Sequence, residues 1–375
     1  MKRFDLAFIG LGAAAMSMAV RLYRSGWAGR AVFIEAKARP EDDRTWCGWG
    51  PSAHPFADQI ARQWTRWAVS HAGETVISSD PGLPYEMLRA RDVRQTARCA
   101  ILARNDWCLM DGRSVRSAIQ TGGNWALTLD NGGVINADWV LDARPPAITL
   151  KRPWVWQSFV GFELTADGPG CDDTVRLMDF IDSDGPLVTF LYELPIASGR
   201  RLVELTRFTP ERSDIEQLRA RLRALLAARG WRNISILREE TGHLPMAPIR
   251  PYADNRWVRI GAAGGSLRPA TGYAFHAIQH WADDCTASII NGREPVAPRR
   301  VGWLDWVDGV FLDHLWHHAE DRETLFMRLF HQTSPGSLAR FLMARPTARD
   351  LWEVARALPA FPMLNAAWRH GWRRY

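Results

Sequence analysis

The chain has 375 residues, 47% of them hydrophobic, and a formal net charge of +6. That is enough apolar material for one large or two modest globular domains and excludes a disordered chain. No apolar run reaches the roughly eighteen residues that span a bilayer, and the five cysteines (Cys47, Cys99, Cys108, Cys171, Cys285) show no C-x-x-C spacing, which excludes a helical membrane bundle and argues against a disulfide or zinc framework.

Odd in number and scattered, those cysteines suit a reducing cytosol. The basic balance admits two partners, nucleic acid or an anionic membrane surface. No nucleic-acid motif accompanies it. Nineteen tryptophans against six tyrosines point to an apolar ligand handled at a bilayer surface, because Trp is favoured in apolar pockets and at membrane interfaces. Codon bias is the competing reading of the same count.

In chain order, Phe4 to Ile9 is a short apolar run fit for a buried parallel strand. Gly10, Gly12 and Ala15 follow with the spacing of a G-x-G-x-x-G/A dinucleotide-binding turn. Gly10 makes the tight turn, Gly12 admits a pyrophosphate close to the backbone, and Ala15 lets helix and strand pack closely. The helix runs to Gly26, and its N-terminus offers free amides and a positive dipole end to phosphates. A second strand, Ala31 to Ile34, ends on Glu35, twenty-three residues beyond Gly12, where a carboxylate can accept ribose hydroxyls. Asp5, Arg21 and this second strand argue against a signal peptide.

A polar loop leads to the aromatic segment Arg44-Thr-Trp-Cys-Gly-Trp49, then to short strands over 64–79 and a helix ending near Leu102. Trp107 to Leu109, Val115 to Ile119 and Trp125 to Leu129 read as strands, with Asp130-Asn-Gly-Gly a hairpin turn. Trp139 to Asp142 returns to the nucleotide sheet. From 150 to 255 the runs Trp156–Leu164, Val175–Phe180, Leu187–Leu194 and Arg201–Phe208 read as an inserted antiparallel sheet facing the substrate, with a helix opened by the capping box Ser213-x-x-Glu216 and closed at Gly230. Val258 to Gly265 returns to strand-plus-glycine chemistry. Pro269-Ala-Thr-Gly-Tyr273 and a helix from about Ala274 follow, a second backbone approach to the cofactor. The expected organisation is a discontinuous nucleotide-binding domain (1–150 with 255–300), a substrate domain (150–255) and amphipathic helices over 301–375.

Strand alternation puts Leu202, Glu204, Thr206 and Phe208 on one face. A carboxyl buried there has its charged form disfavoured and can donate a proton near neutral pH. A salt bridge to Arg201 or Arg207 is the bland reading. Asp179 either orients Glu204 or caps a strand end. Glu163 and Glu193, near strand ends, are expected to face solvent. Cys47 reads as a small buried residue before a reactive thiol. His314-x-x-His317 has helical ligand spacing but no third ligand, so no metal is expected.

The ordered segments resemble the bacterial and plant lycopene cyclases over essentially the whole chain. They are Gly10-x-Gly12, Arg44 to Trp49, Asp142-Ala-Arg-Pro145, Gln157-Ser-Phe-Val-Gly161, Met178-Asp-Phe180, Val203-Glu-Leu-Thr206, Glu239-Glu-Thr-Gly-His-Leu-Pro-Met246, and Gly261-x-x-Gly-Gly265 running into Pro269 to Tyr273. Glu204 falls on the family's catalytic glutamate. Plant members carry two adjacent acids where this chain has Leu205 in second place, which favours a single acid, and often His where it has Arg268.

The resemblance implies an α/β FAD-binding, Rossmann-like fold of the geranylgeranyl reductase and aromatic hydroxylase type, with an inserted antiparallel sheet and C-terminal helices. It implies cofactor contacts at Gly10, Gly12, Ala15, Glu35, Trp46, Gly261, Gly264, Gly265, Thr271, Gly272 and Tyr273, and catalysis by Glu204 with Asp179. The implied reaction cyclises the open ends of lycopene to β-ionone rings with reduced FAD, NAD(P)H as electron source and no net redox change. The implied place of work is the inner face of the cell membrane, docked from the cytoplasm through the basic, Trp-rich C-terminal helices. A flavin monooxygenase or isoprenoid reductase is the first alternative. Those enzymes usually carry an acid after the second glycine segment, where Ala262 follows Gly261. A non-enzymatic flavin-bearing carotenoid carrier is the second.

Overall fold

A strand with no polar side needs cover on both faces, and the N-terminal segment supplies the first of it at once. β1 (Arg3–Ile9) leads through α1 (Ala13–Arg24) to β2 (Ala31–Glu35), which pairs parallel to β1 with Ile9 beside Ile34. The computed structural model describes residues 3–39, 41–50, 53–145, 147–168, 172–181 and 187–371, so Cys171 lies outside the described residues.

The first half continues through β3 (Thr45–Trp49), β4 (Ile60–Trp64), β5 (Arg66–His71), β6 (Glu74–Ser79), β7 (Tyr85–Arg89), α2 (Ala90–Leu102), β8 (Cys108–Asp111), β9 (Val115–Thr121), β10 (Asn124–Leu129) and β11 (Val134–Asp142). Then come β12 (Val155–Asp167), β13 (Val175–Phe180), β14 (Thr189–Ala197), β15 (Arg200–Thr209), α3 (Ile215–Ala228), β16 (Arg232–Met246), β17 (Ala253–Asp254), β18 (Trp257–Arg259) and α4 (Phe275–Ile290). The helices α5 (Gly302–His317), α6 (Arg322–Gln332), α7 (Pro335–Leu342), α8 (Ala348–Ala357) and α9 (Ala360–His370) follow.

β18, β11, β1, β2 and β8 pair parallel in that order. Helices α1, α2 and α4 cover one face, where Met16, Leu22, Val93 and Ile278 pack on Phe8 and Phe33. Val32, Ile34 and Val140 meet Leu127 and Leu129 of the β9–β10 hairpin on the other face. Asp142 ends β11 beside Ile9, at the carboxyl edge of the parallel sheet.

The second sheet runs β16-β12-β15-β14-β13-β5-β6 and is antiparallel except where β13 meets β5. Its pairings cross the boundary expected at residue 150. β5 and β6 come from the first half yet extend this sheet, because Trp67 and Val69 share a core with Val175 and Leu177. β16 escaped the sequence reading. Its run is broken by Arg238, Glu239 and Glu240, and it bulges at Leu237 opposite Glu163/Leu164, so no steady period of two survives. Pairing along β12 makes it a strand nonetheless. α3 covers one face of the sheet through Leu218, Leu222 and Leu226. A small sheet, β3-β7-β4, and the C-terminal helices cover the other.

Two local expectations are corrected. The helix cap of α3 is Asp214, whose side chain accepts the Glu216 and Gln217 amides, and not Ser213, which lies one residue too early. Glu163 does not face solvent. It sits mid-strand in β12, 1% exposed, accepting hydrogen bonds from Arg89 (2.6 Å), Arg200 (2.6 Å) and Arg238 (3.0 Å). Burial alone would raise its carboxyl, but the hydrogen bonds and charges of Arg89 and Arg238, with Arg200, hold it down to about 2.

This cluster ties β12 and β16 to β7, so breaking it is expected to destabilise the fold. Glu163→Gln removes the carboxylate that three guanidiniums share, leaving Arg238 with Glu240 and Arg89 with Asp42, and should cost about 3 kcal/mol in chemical denaturation at pH 7. That is the low end for a broken buried pair, since Arg200 stays partly in water. The native carboxyl titrates below the unfolded one (about 4.3). The wild-type advantage is therefore full above that value and drains as the pH falls towards 2, and the variant's stability should lack this window.

Candidate active site

The turn after β1 is built as a cradle. Gly10 takes φ +88°, open to glycine and costly for other residues. Gly12 caps α1 with no side-chain partner, and a Cβ added to it would meet nothing within 4 Å. Gly12, Ala13 and Ala14 line a cavity of about 920 Å³, so the positive end of α1 opens into it. Ala15 is fully buried in the helix–sheet core instead. Glu35, at the end of β2, accepts the Leu11 amide (2.7 Å) and the Lys37 amide (2.9 Å), which fixes its carboxylate beside this turn.

The second glycine segment meets the first. Gly261 has φ +64°, and a Cβ there would lie 3.3 Å from Cβ of Ala14. Gly261 and Ala262 line the cavity with Thr271, Gly272 and Tyr273. Gly264 and Gly265 do not line it: their missing Cβ positions lie 2.3 Å from the Arg259 carbonyl and 2.4 Å from the Ile249 carbonyl, so they let the chain fold back on itself. Trp46 lines the cavity, stacked on Phe275 at 5.5 Å.

From this cradle the cavity runs beneath the seven-stranded sheet between walls of Phe159, Phe190, Phe208, Phe311, Phe326 and Phe330, and reaches Met363 and Leu364 of α9. Into this apolar space β15 projects Glu204 and Thr206, beside Phe208. The alternation read from the sequence is the one observed. Glu204 is 9% exposed and accepts a hydrogen bond from the Thr206 hydroxyl at 2.7 Å. Burial, then the neighbouring Glu240 charge, pushes its carboxyl up to about 8, against the weaker pull of Thr206, Arg44 and Arg238. It is therefore a protonated acid at neutral pH, with apolar walls around it.

Around Glu204 lie groups that sequence reasoning passed over. Gly161 of β12 pairs with Glu204 on one side and Glu240 on the other, so the two carboxyls flank one glycine. Glu240 accepts hydrogen bonds from Arg238 (2.6 Å) and Thr45 (2.9 Å). The Tyr85 hydroxyl meets those of Tyr192 (3.1 Å) and Tyr273 (3.2 Å), with Tyr192 paired opposite Glu204. Reading 232–246 as a strand would have placed Glu240. Of the tyrosines, which come from three distant segments, Tyr273 was expected at the cofactor, whereas Tyr85 and Tyr192 carry no local signal.

Asp179 is not brought to Glu204. It pairs with Leu191, which packs beneath α3, so it lies on the sheet face away from the cavity, where its carboxylate meets Arg229. The reading in which it orients Glu204 is therefore not met, and a register shift between Arg176 and Asp179 interrupts the alternation of β13. Glu193 is half-buried against Arg201 instead of free in solvent. His314 is buried and stacks on His318 at 4.4 Å, whereas His317 turns to Asp313, so the expected spacing does not converge on one point. No helix among the described residues is long and apolar enough to cross a membrane.

Residues 5–368 match the family model described as "Lycopene cyclase protein". A lycopene beta-cyclase of Pseudescherichia vulneris is 25% identical over 387 aligned residues, covering 97% of this chain and 96% of that protein. In fold, the chain is similar to a geranylgeranyl bacteriochlorophyll reductase-like protein of Thermoplasma acidophilum, with TM-score 0.65, 12% identity and coverage of 99% and 100% of the two chains. It is also similar to the flavin-dependent monooxygenase PieE, solved with FAD and substrate, at TM-score 0.60 and 15% identity, covering 95% of this chain and 71% of that one.

Cys47 sits in the cavity wall between these groups, and burial pushes its thiol up to about 12. The thiolate is the reactive form. With the folded protein at pH 8, brief alkylation should modify the exposed Cys99 and spare Cys47, as read by peptide mass spectrometry. Equal labelling of the two would show that the cavity wall is not dry at this point.

Proposed function

The chain belongs to the lycopene cyclase family, and we propose that it cyclises the open ends of lycopene to β-ionone rings, one end after the other, with no net redox change. The observation that carries the reading is a lone protonated carboxyl, Glu204, set in an apolar cavity long enough to reach the protein surface at α9. In this mechanism Glu204 donates its proton to the terminal double bond. The tertiary cation that results is attacked by the neighbouring double bond, closing the ring. Loss of a ring proton regenerates neutrality, and the Glu204 carboxylate left by the first step is a base at hand. One proton enters and one leaves, so product and substrate have equal mass.

The cradle fits FAD. The open space beside Gly12 and the positive end of α1 suit its pyrophosphate, Glu35 its ribose, and Trp46, Gly261, Ala262 and the 271–273 backbone its flavin end. When bound in reduced form, with NAD(P)H as the electron source, FAD supplies fixed negative charge that favours a nearby cation. The chain's own part is to keep water from the cation, through the phenylalanine walls, and to offer aromatic faces at Trp49, Tyr85 and Tyr273, which meet edge to face.

A C40 hydrocarbon resides in the bilayer, and α9 offers a place to meet it. Phe361, Leu364 and Trp368 recur at i, i+3 and i+7 on one face, exposed by 82, 64 and 86%. Leu364 and its neighbour Met363 also line the cavity. Arg356, whose guanidinium lies over the exposed Trp352, adds positive charge for an anionic surface at the cytoplasmic side of the membrane, whereas Arg349 and Arg369 are paired with Glu353 and Asp313.

Four outcomes are expected. Purified protein with FAD, excess NADPH and lycopene in anaerobic liposomes should form a ring-closed product of unchanged mass. Oxygenated or hydrogenated products instead would move the chain to the redox branch of the fold. Glu204→Gln should lose at least about a hundredfold in turnover while retaining FAD by absorbance, since an amide cannot supply the proton. Wild-type turnover, needing the protonated form, should fall as the pH rises through about 8. Substantial cyclisation by Glu204→Gln sinks the acid role. Replacing Phe361 and Trp368 by Ser should reduce co-flotation with anionic vesicles severalfold and leave cyclisation of detergent-dispersed lycopene within about twofold.

A further inference from the structure

The site holds two buried carboxyls, and they are not equivalent. Register places Glu204 and Glu240 on either side of Gly161, on neighbouring strands of one sheet face. A Cβ at Gly161 would lie 3.2 Å from Cγ of Glu240 and 3.4 Å from Cβ of Glu204, so the glycine is what lets both side chains rise beside each other. Both line the cavity and both are more than nine-tenths buried. Two like charges so placed cannot both persist in an apolar space.

The partners decide which acid carries the charge. Burial raises the Glu240 carboxyl as well, but it holds Arg238 at 2.6 Å and Thr45 at 2.9 Å, which favour its charged form. Glu204 holds only a hydroxyl, that of Thr206. Other groups around the pair do not reverse this. From β3 come Arg44, which favours the charged form of both acids, and the neutral Cys47. β7, β14 and the 268–273 segment bring the un-ionised Tyr85, Tyr192 and Tyr273. On β16, His243 is kept neutral by burial, and the Arg268–Asp308 pair further along the cavity neutralises itself.

We propose that Glu240 is a positioning residue of the site, an arginine-held anion whose place beside Gly161 keeps Glu204 in its proton-donating form. It acts on the substrate only through Glu204, and the role rests on the reading of Glu204 as the acid. It also supplies a reset: once Glu204 has given up its proton, the site holds two adjacent anions, and that repulsion drives Glu204 to take up a proton again.

The test reads the carboxyls directly. Infrared difference spectra of the FAD-loaded protein should show one protonated buried carboxyl at pH 7, absent in Glu204→Gln. In Glu240→Gln, where Arg238 keeps Glu163 as a partner, that band should titrate about one pH unit or more lower. The alkaline limb of turnover should move down with it, while KM and flavin content stay within about twofold. Glu240→Asp, which keeps the charge, should restore the wild-type titration. An unmoved or raised band in Glu240→Gln overturns the proposal. So does a second protonated carboxyl persisting at pH 7 in Glu204→Gln, which reads Glu240 without requiring the Glu240 variant to fold. A coupled pair in a protein that forms no cyclised product would sink the cyclase reading and leave the pair standing. Cyclisation with an unmoved band would do the reverse.

Discussion

A carboxylic acid stays protonated at neutral pH only where its charge is more costly than its proton, and the architecture around Glu204 maintains that condition. Three strands, β16, β12 and β15, must lie side by side with a glycine at the middle position. Their faces must point into a space without water, and the nearest cations must be committed elsewhere. Arg238 is committed twice, to Glu240 and to Glu163, and Glu163 in turn draws Arg89 and Arg200. The deep ionic cluster on β12 is thus more than a staple between sheets. It consumes guanidinium charge that would otherwise favour ionisation of Glu204, which lies two residues beyond Leu202, the partner of Glu163.

The two sheets divide the work. The parallel sheet ends its strands at Gly10, Glu35 and Asp142, the carboxyl edge where dinucleotides bind in such folds. The antiparallel sheet supplies the acid and most of the apolar wall. The loops of residues 261–273 join them, with Gly261 close to Ala14 and Tyr273 hydrogen-bonded to Tyr85. On the proposed function, a cation formed near Glu204 would have the cofactor cradle on one side and the aromatic faces of Trp49, Tyr85 and Tyr273 on the other.

Most of this was legible where one segment contains its own signal. The β1–α1–β2 turn, with its glycines and terminal acid, is local, so sequence alone places it. Glu204 was legible because a regular strand alternates and Val203 to Phe208 stays regular. For Asp179 the sequence left open whether it orients Glu204 or caps a strand end, and a register shift within β13 decides which sheet face it takes. Glu163 was misjudged because the length of a strand depends on its partner, and its partner β16 has a broken pattern. Glu240 is placed beside Glu204 only once β16 is recognised as a strand, and Tyr85 meets Tyr192 and Tyr273 only because segments 107 and 188 residues apart are brought together.

The C-terminal helices resolve a conflict between dryness and access. A chamber that protects a cation must exclude water, yet a C40 chain must enter it. Walls made by α5 and α6 close the chamber with Phe311, Phe326 and Phe330, whereas α9 packs on α5 through Ala366 and His370 and leaves its other face bare. Exposed Phe361 and Trp368 would be a liability in water. On the proposed docking, hydrocarbon would cover them, and the same bilayer would hold the substrate. A mouth that opens into lipid admits the polyene while it excludes water, which a mouth opening into solvent cannot do.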